Sequence, residues 1–261
     1  MKYALIIEYD GSTFSGWQRQ SHALTVQACV ERAVSQVANH EIGVACAGRT
    51  DAGVHAIAQV VHFETHVERS KRSWVLGINA NLPASIVIKN IIVVDEDFHA
   101  RFSARARTYR YMIVNQPMRS ALLAQRATWE RLPLNESLMS AAAECLVGEH
   151  DFTSFRALAC QAHSPVREIY HLHISRMNNI VTIEVKANGF LHHMVRNLAG
   201  VLMSIGRGEH KVDWALEVLE ARDRSLAGVT APAQGLYFMA VDYDEKYAIN
   251  EIGALTDDDT H

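Results

Sequence analysis

The chain has 261 residues, of which 49% are hydrophobic and 21% charged, a balance that suits a folded globular protein and excludes a disordered one. No apolar run is long enough to cross a bilayer, and the four scattered cysteines (Cys29, Cys46, Cys145, Cys160) lack the paired spacing of a zinc knuckle or a disulfide framework. The formal charge of −4 argues at first against a polyanionic partner, but residues 242–261 hold seven acids against Lys246 alone, a balance of −6 that leaves the rest at +2.

In chain order, residues 3–9 read as a buried strand and not as a secretory leader, because Glu8 follows only a short apolar stretch and no small-residue cleavage site is present. A cytoplasmic protein is therefore expected. Asp10-Gly11-Ser12 makes a turn, and a helix is expected from Thr25 as N-cap, with Val26, Cys29, Val30, Ala33, Val34 and Val37 at helical spacing. Strands are predicted over 42–46 and 57–63, with a polar, glycine-bearing connection at 47–56 between them, the kind of loop on a strand scaffold where chemistry is usually placed. A helix over 72–80 and an Ile/Val-rich strand over 86–94 complete a β-α-β-β-α-β first half.

The second half opens with a strand over 104–114, whose alternation puts Arg105, Arg107, Tyr109 and Tyr111 on one face. After an irregular stretch, Asn135 caps a helix running to about residue 147, and segments 166–176 and 180–187 form a hairpin turned at Met177-Asn178-Asn179. A helix over 190–205 carries Leu191, Val195, Leu198, Leu202 and Ile205 as its core stripe, with His192 and Arg196 one turn apart on another face. A helix over 213–221, a strand over 236–241 and an acidic tail expected to be mobile end the chain. The pattern predicts an α+β fold of two lobes, residues 1–104 and 105–245, with 246–261 as tail and a cleft between the lobes.

Basic charge is concentrated between residues 99 and 131, where seven arginines (101, 105, 107, 110, 119, 126 and 131) are opposed by Glu130 alone. A solvated charged face is the plain account of such a run, and the aromatic residues interleaved with the arginines, as at Tyr109-Arg110-Tyr111, weaken it in favour of a polyanionic partner such as RNA. In Gly48-Arg49-Thr50-Asp51-Ala52-Gly53-Val54-His55 two glycines permit a tight turn and a close substrate approach, while an arginine and a carboxylate lie within three residues. An ordinary Asp-Ala-Gly turn would account for the aspartate alone. Gly11 to Gly16 has the glycine spacing of a nucleotide-binding loop, but Trp17 stands where the lysine belongs. Fourteen histidines, including His171, His173, His192 and His193, show no paired spacing with a third ligand, so no metal is expected.

The eight-residue string at 48–55 resembles the active-site motif of the tRNA pseudouridine synthase A family. The likeness continues through Gly16-Trp17-Gln18-Arg19-Gln20, Phe98-His99-Ala100-Arg101-Phe102-Ser103-Ala104, Tyr109-Arg110-Tyr111, Asp151 to Arg156, and His193-Met194-Val195-Arg196-Asn197. It extends to near residue 240. The resemblance implies a pseudouridine synthase fold, with a mostly antiparallel sheet and an RNA-binding cleft between two lobes. It implies that Asp51 attacks the target nucleotide, that Tyr109 packs on the base, that Arg49 helps to expel it and takes its place in the stack, and that Arg196 offsets the charge of the carboxylate. Arg101, Arg105, Arg107 and Arg110 would contact RNA phosphates. It further implies uridines at tRNA positions thirty-eight, thirty-nine and forty in the anticodon stem-loop as targets, no cofactor, and a homodimer. A non-catalytic RNA-binding module or RNA chaperone, and a hydrolase using Asp51 on another substrate, are the alternatives.

Overall fold

The structure, a computed structural model, describes residues 1–158 and 160–249. It divides into two units, Met1–Arg105 with the chain from Phe238 on, and Ala106–Tyr237. The last strand belongs to the first unit from Phe238 on, where it neighbours a strand from the first half of the chain.

The first unit has the expected order: β1 (Lys2–Tyr9), α1 (Val26–Ala38), β2 (Ala45–Cys46), β3 (His55–Glu64), α2 (Lys71–Ala80) and β4 (Ile86–Val94). Its sheet runs β4-β1-β3, with β2 also on β3, and continues on the other side of β3 with β10 (Leu236–Asp242). β1 is antiparallel to both neighbours, and apart from half-exposed Glu8 its residues are buried. A strand with partners on both edges and cover on both faces needs continuous apolar character, which is what Tyr3 to Ile7 supply. Tyr3 stacks on Phe63 of β3 at 5.4 Å between ring centroids, and Trp74 of α2 meets Phe63 edge-on at 5.6 Å. Thr25 does occupy the N-cap of α1, yet its hydroxyl makes no capping bond. The carbonyls of Gly16 and Trp17 take the Val26 and Gln27 N–H groups instead, at 3.2 and 3.0 Å.

The second unit comprises β5 (Ala106–Asn115), β6 (Thr128–Glu130), α3 (Glu136–Ala143), β7 (Gly148–Asp151), β8 (Val166–Met177), β9 (Ile180–Ala187), α4 (Met194–Gly206) and α5 (Trp214–Ala221). β5, β9, β8 and β7 pair antiparallel in that order, and β6 adds to β5 in parallel. β9 alternates cleanly, with Val181, Ile183, Val185 and Ala187 buried and Thr182, Glu184 and Lys186 half-exposed. Asn135 caps α3 as expected, accepting from the N–H groups of Ser137 and Leu138 at 3.0 and 3.1 Å. The stripe Val195, Leu198, Leu202 and Ile205 of α4 is buried, and nearly every other residue of that helix is buried too. Helix α4 begins four residues later than expected, since His193 at its N-cap sits in the left-handed region (φ 62). His192 thus precedes the helix and does not share a helical face with Arg196. From residue 250 the acidic tail lies outside the described residues; before that, Glu245–Tyr247 form a short 3₁₀ turn and Lys246 pairs with Asp97 at 2.7 Å.

Candidate active site

The connection between β2 and β3 carries Asp51, and its backbone is tied down at almost every step. Ala47 N–H donates to Val60 at 2.8 Å, which starts the loop from the sheet. The Gln59 side-chain amide donates to the Gly48 carbonyl at 2.6 Å. The hydroxyl of Tyr9, at the end of β1, shares a hydrogen bond with Thr50 Oγ1 at 2.7 Å, and Trp17 N–H donates to the Thr50 carbonyl at 3.0 Å. Val54 N–H then donates to the Asp51 carbonyl at 3.2 Å, closing a turn over Ala52 and Gly53, which has φ 79. At the end of the loop, His55 Nδ1 lies 3.1 Å from Gly11 N–H and 3.2 Å from Asp10 Oδ1.

Gly16 forms the wall behind this turn. Its φ is +89, and a Cβ there would stand 2.8 Å from the Thr50 carbonyl and 3.1 Å from Ala52 N, so backbone must meet backbone. The resemblance at Gly16-Trp17 therefore has a physical meaning: this segment supports the loop that presents Asp51. The result is a half-buried carboxylate whose flanking residues are fixed by hydrogen bonds and packing, as an attacking group requires. Sequence reading missed Tyr9 and Gln59 as supports, since both look like ordinary strand residues.

Arg49 and Arg101 are exposed. Both guanidinium groups pull down on the Cys46 thiol, yet burial outweighs them and pushes that thiol up to about 11, which leaves it protonated and unreactive at neutral pH. Arg105 lies just before β5, with its N–H on the Asp242 carbonyl at 2.8 Å and its guanidinium paired with Asp244.

In the second unit, Tyr109 on β5 is 8% exposed and meets Phe190 edge-on at 4.9 Å and 80°. Arg107 donates to the Asn188 carbonyl at 3.0 Å. Arg110, next to Tyr109 on the strand, points to the other face, where Nε and Nη2 both reach Glu184 Oε2 at 3.1 and 2.7 Å. Strand alternation alone separates it from Arg107 and Tyr109. Arg196 lies in the first turn of α4 and is clamped to the segment before β10: its Nε donates to the Ala231 carbonyl at 2.8 Å, and Ala231 N–H donates to the Arg196 carbonyl at 3.1 Å. Tyr111 holds this region from the sheet side, sharing a hydrogen bond with Thr128 Oγ1 at 2.5 Å and donating to the Pro232 carbonyl at 2.8 Å. Burial raises its phenol well above the usual range, with Arg196 pulling the other way. Asp51, Arg49, Arg101 and Arg105 lie in the first unit, and Tyr109, Arg107, Arg110 and Arg196 in the second.

Residues 5–103 and 142–244 match the family model described as tRNA pseudouridine synthase. Among curated relatives named tRNA pseudouridine synthase A, one from Photorhabdus laumondii is 52% identical over 247 residues, covering 95% of this chain and 94% of the relative. A second from Pseudomonas aeruginosa is 53% identical, covering 96% of this chain and 88% of the relative. A third from Colwellia psychrerythraea is 50% identical, covering 95% and 96%. A chain in a solved Cbf5-Nop10-Gar1 complex matches at 13% identity and a TM-score of 0.32, over 77% of this chain and 45% of that one.

Proposed function

Because the chain belongs to the tRNA pseudouridine synthase family and isomerises uridine to pseudouridine in tRNA, we propose that it acts at positions thirty-eight, thirty-nine and forty of the anticodon stem-loop, with Asp51 as the nucleophile. The observation that carries the nucleophile assignment is the loop itself. Tyr9, Trp17, Gly16 and Gln59 fix the residues on either side of Asp51 and leave its carboxylate half-buried, a degree of support that a turn aspartate bonding its own backbone does not need.

The carboxylate attacks the target nucleotide and the N-glycosidic bond breaks; the uracil reorients, its C5 joins the ribose, the carboxylate is released, and C5 gives up a proton while N1 gains one. Arg49, Tyr109 and Arg196 bind the nucleotide. A flipped base loses a few kcal/mol of stacking and pairing that protein contacts must restore, and an aromatic ring and guanidinium planes suit that task. Arg101, Arg105 and Arg107 contact phosphates. Arg110 takes part only if RNA displaces Glu184 from it. Neighbouring targets call for recognition of RNA shape more than of base identity. We propose further a homodimer working in the cytoplasm. No helix among the described residues is long and apolar enough to cross a membrane.

The test is to incubate the purified chain, without added metal or nucleotide, with an unmodified tRNA transcript and to map pseudouridine alongside an Asp51→Ala variant. The expected outcome is product at the three positions from the wild type, none from the variant, and comparable tRNA binding by both. Product from the variant would remove Asp51 from the nucleophile's place, and binding without product from either would leave an RNA-binding module.

A further inference from the structure

Phe102 is 77% exposed, and within residues 95–105 it is the one exposed large hydrophobic side chain. Single exposed apolar residues are common and need no account. What sets this one apart is how firmly it is held outside. It sits on a turn closed by Ser103 N–H on the His99 carbonyl at 2.9 Å and by His99 N–H on Ser103 Oγ at 3.0 Å. The His99 ring accepts at Nδ1 from both Arg101 N–H and Phe102 N–H, at 3.1 and 3.3 Å. Before it, Ala100 N–H donates to His62 Nδ1 at 3.1 Å, and the Ala100 carbonyl accepts from the Tyr243 hydroxyl at 2.7 Å. Phe98, fully buried, roots the segment against Tyr243 at 5.1 Å. A turn with this many fixed groups does not fold its aromatic ring back into the core.

An imidazole and one cation also lie close to the ring. The imidazole of His99 lies behind Phe102 at 4.3 Å between centroids and an interplanar angle of 34°, and the Arg101 guanidinium stands 5.6 Å from the ring centre. His62, which holds Ala100, pairs across the sheet with Ala45 of β2, the strand that leads into the loop carrying Asp51, so the turn is anchored beside the root of that loop. A largely exposed ring with an imidazole against it and a guanidinium over it matches a nucleobase with its phosphate better than an apolar protein surface, which asks for neighbouring apolar groups.

We propose that exposed Phe102, with His99 against it and Arg101 over its ring, is a stacking platform for an RNA base beside the target uridine. This rests on the tRNA reading above. When the target leaves the helix, its neighbour loses a stacking partner. A ring already fixed in place replaces that partner with little ordering cost, because none of the turn has to reorganise.

The test compares wild type with Phe102→Leu and Phe102→Trp, measuring tRNA affinity against salt, single-turnover pseudouridine formation and melting temperature. Phe102→Leu should weaken tRNA binding about tenfold, within the range for loss of one base stack. It should leave the slope of log affinity against log salt unchanged, since no phosphate contact is removed. Phe102→Trp should restore binding, and its added fluorescence should be quenched on addition of tRNA. Leu binding within twofold of wild type, or Trp emission unchanged by tRNA, overturns the platform. So does a lower melting temperature of both variants, which would make the ring a folding element, or a Leu variant that sediments as a smaller species, which would assign the ring to contact with a second copy of the chain. The wild-type arm separates the two readings: no pseudouridine there sinks the parent function, whereas normal turnover with an indifferent Phe102→Leu sinks only the platform.

Discussion

Tyr9 shows how a residue with no chemistry of its own can set the position of one that has. Its ring is buried beside Trp17, 6.0 Å away, and burial raises its phenol far above neutral pH, so the hydroxyl stays protonated. It meets Thr50 Oγ1 at 2.7 Å, one residue before Asp51. In Tyr9→Phe a hydroxyl at a site only 7% exposed loses this partner, which should cost about 1–3 kcal/mol of stability. Pseudouridine formation should slow about tenfold while tRNA affinity stays within twofold, because a misplaced carboxylate weakens chemistry and leaves phosphate contacts intact. Adding Thr50→Val removes both partners together and should return most of the stability in urea titrations without returning the rate. Recovery of both would mean that the hydrogen bond serves the fold alone. The motif around Asp51 is legible in the sequence because its residues are contiguous. Its supports are not, since Tyr9 and Gln59 read as alternation in strands, and only the pairing of β1 with β3 brings their polar ends to the loop.

Elements with strong periodicity were readable, and those defined by a neighbour were not. β4 runs over the expected residues because Ile86, Ile88, Ile91 and Val94 bury one by one against β1. β7 has the sequence Gly148-Glu149-His150-Asp151, with no apolar period, and is a strand only because β8 offers it an edge. β10 was visible as a strand, but not its place beside β3, a partner far away along the chain. In α4 the apolar stripe was legible while a tight spot was not. Gly200 looks like a helix-weakening residue that Ala should improve by about 1 kcal/mol. A Cβ there, however, would lie 2.0 Å from the Val229 carbonyl, on the segment whose Ala231 holds Arg196 at both ends. Gly200→Ala should therefore destabilise by about 1–3 kcal/mol, as overpacking does, and lower activity by shifting Arg196. A variant with a raised melting temperature and full activity would show that the segment gives way freely.

Across the whole molecule, response to acid should trace to one buried imidazole before it traces to carboxylates. His62 of β3 is 9% exposed, and its pKa is lowered to about 4, first by burial and then by His99 and Lys2, against the opposing pull of Glu64. Its Nδ1 accepts from Ala100 N–H at 3.1 Å, which the protonated ring cannot do. A histidine with a folded pKa below its unfolded value binds more protons when unfolded, so its contribution is complete above about 6.5 and drains away as pH falls toward 4. With those two values, lowering the pH from 7.5 to 5 removes about 2 kcal/mol through this group alone. Glu209 works lower down: Arg207 and Ser204 hold its carboxyl at about 2, so its contribution is intact above the ordinary carboxylate range and is lost progressively as pH falls from there through 2. The neighbouring His99 is also disfavoured as a cation, chiefly by burial, and adds a slope of the same sign. His62→Gln keeps an acceptor for the Ala100 N–H but cannot titrate. Urea unfolding at pH 7.5 and 5 should show the wild type losing about 2 kcal/mol more than this variant, and equal losses would mean that the ring stays hydrated enough to charge without penalty. Because His62 holds the turn that carries Phe102, tRNA affinity should fall with pH over the same window in the wild type and fall less in His62→Gln.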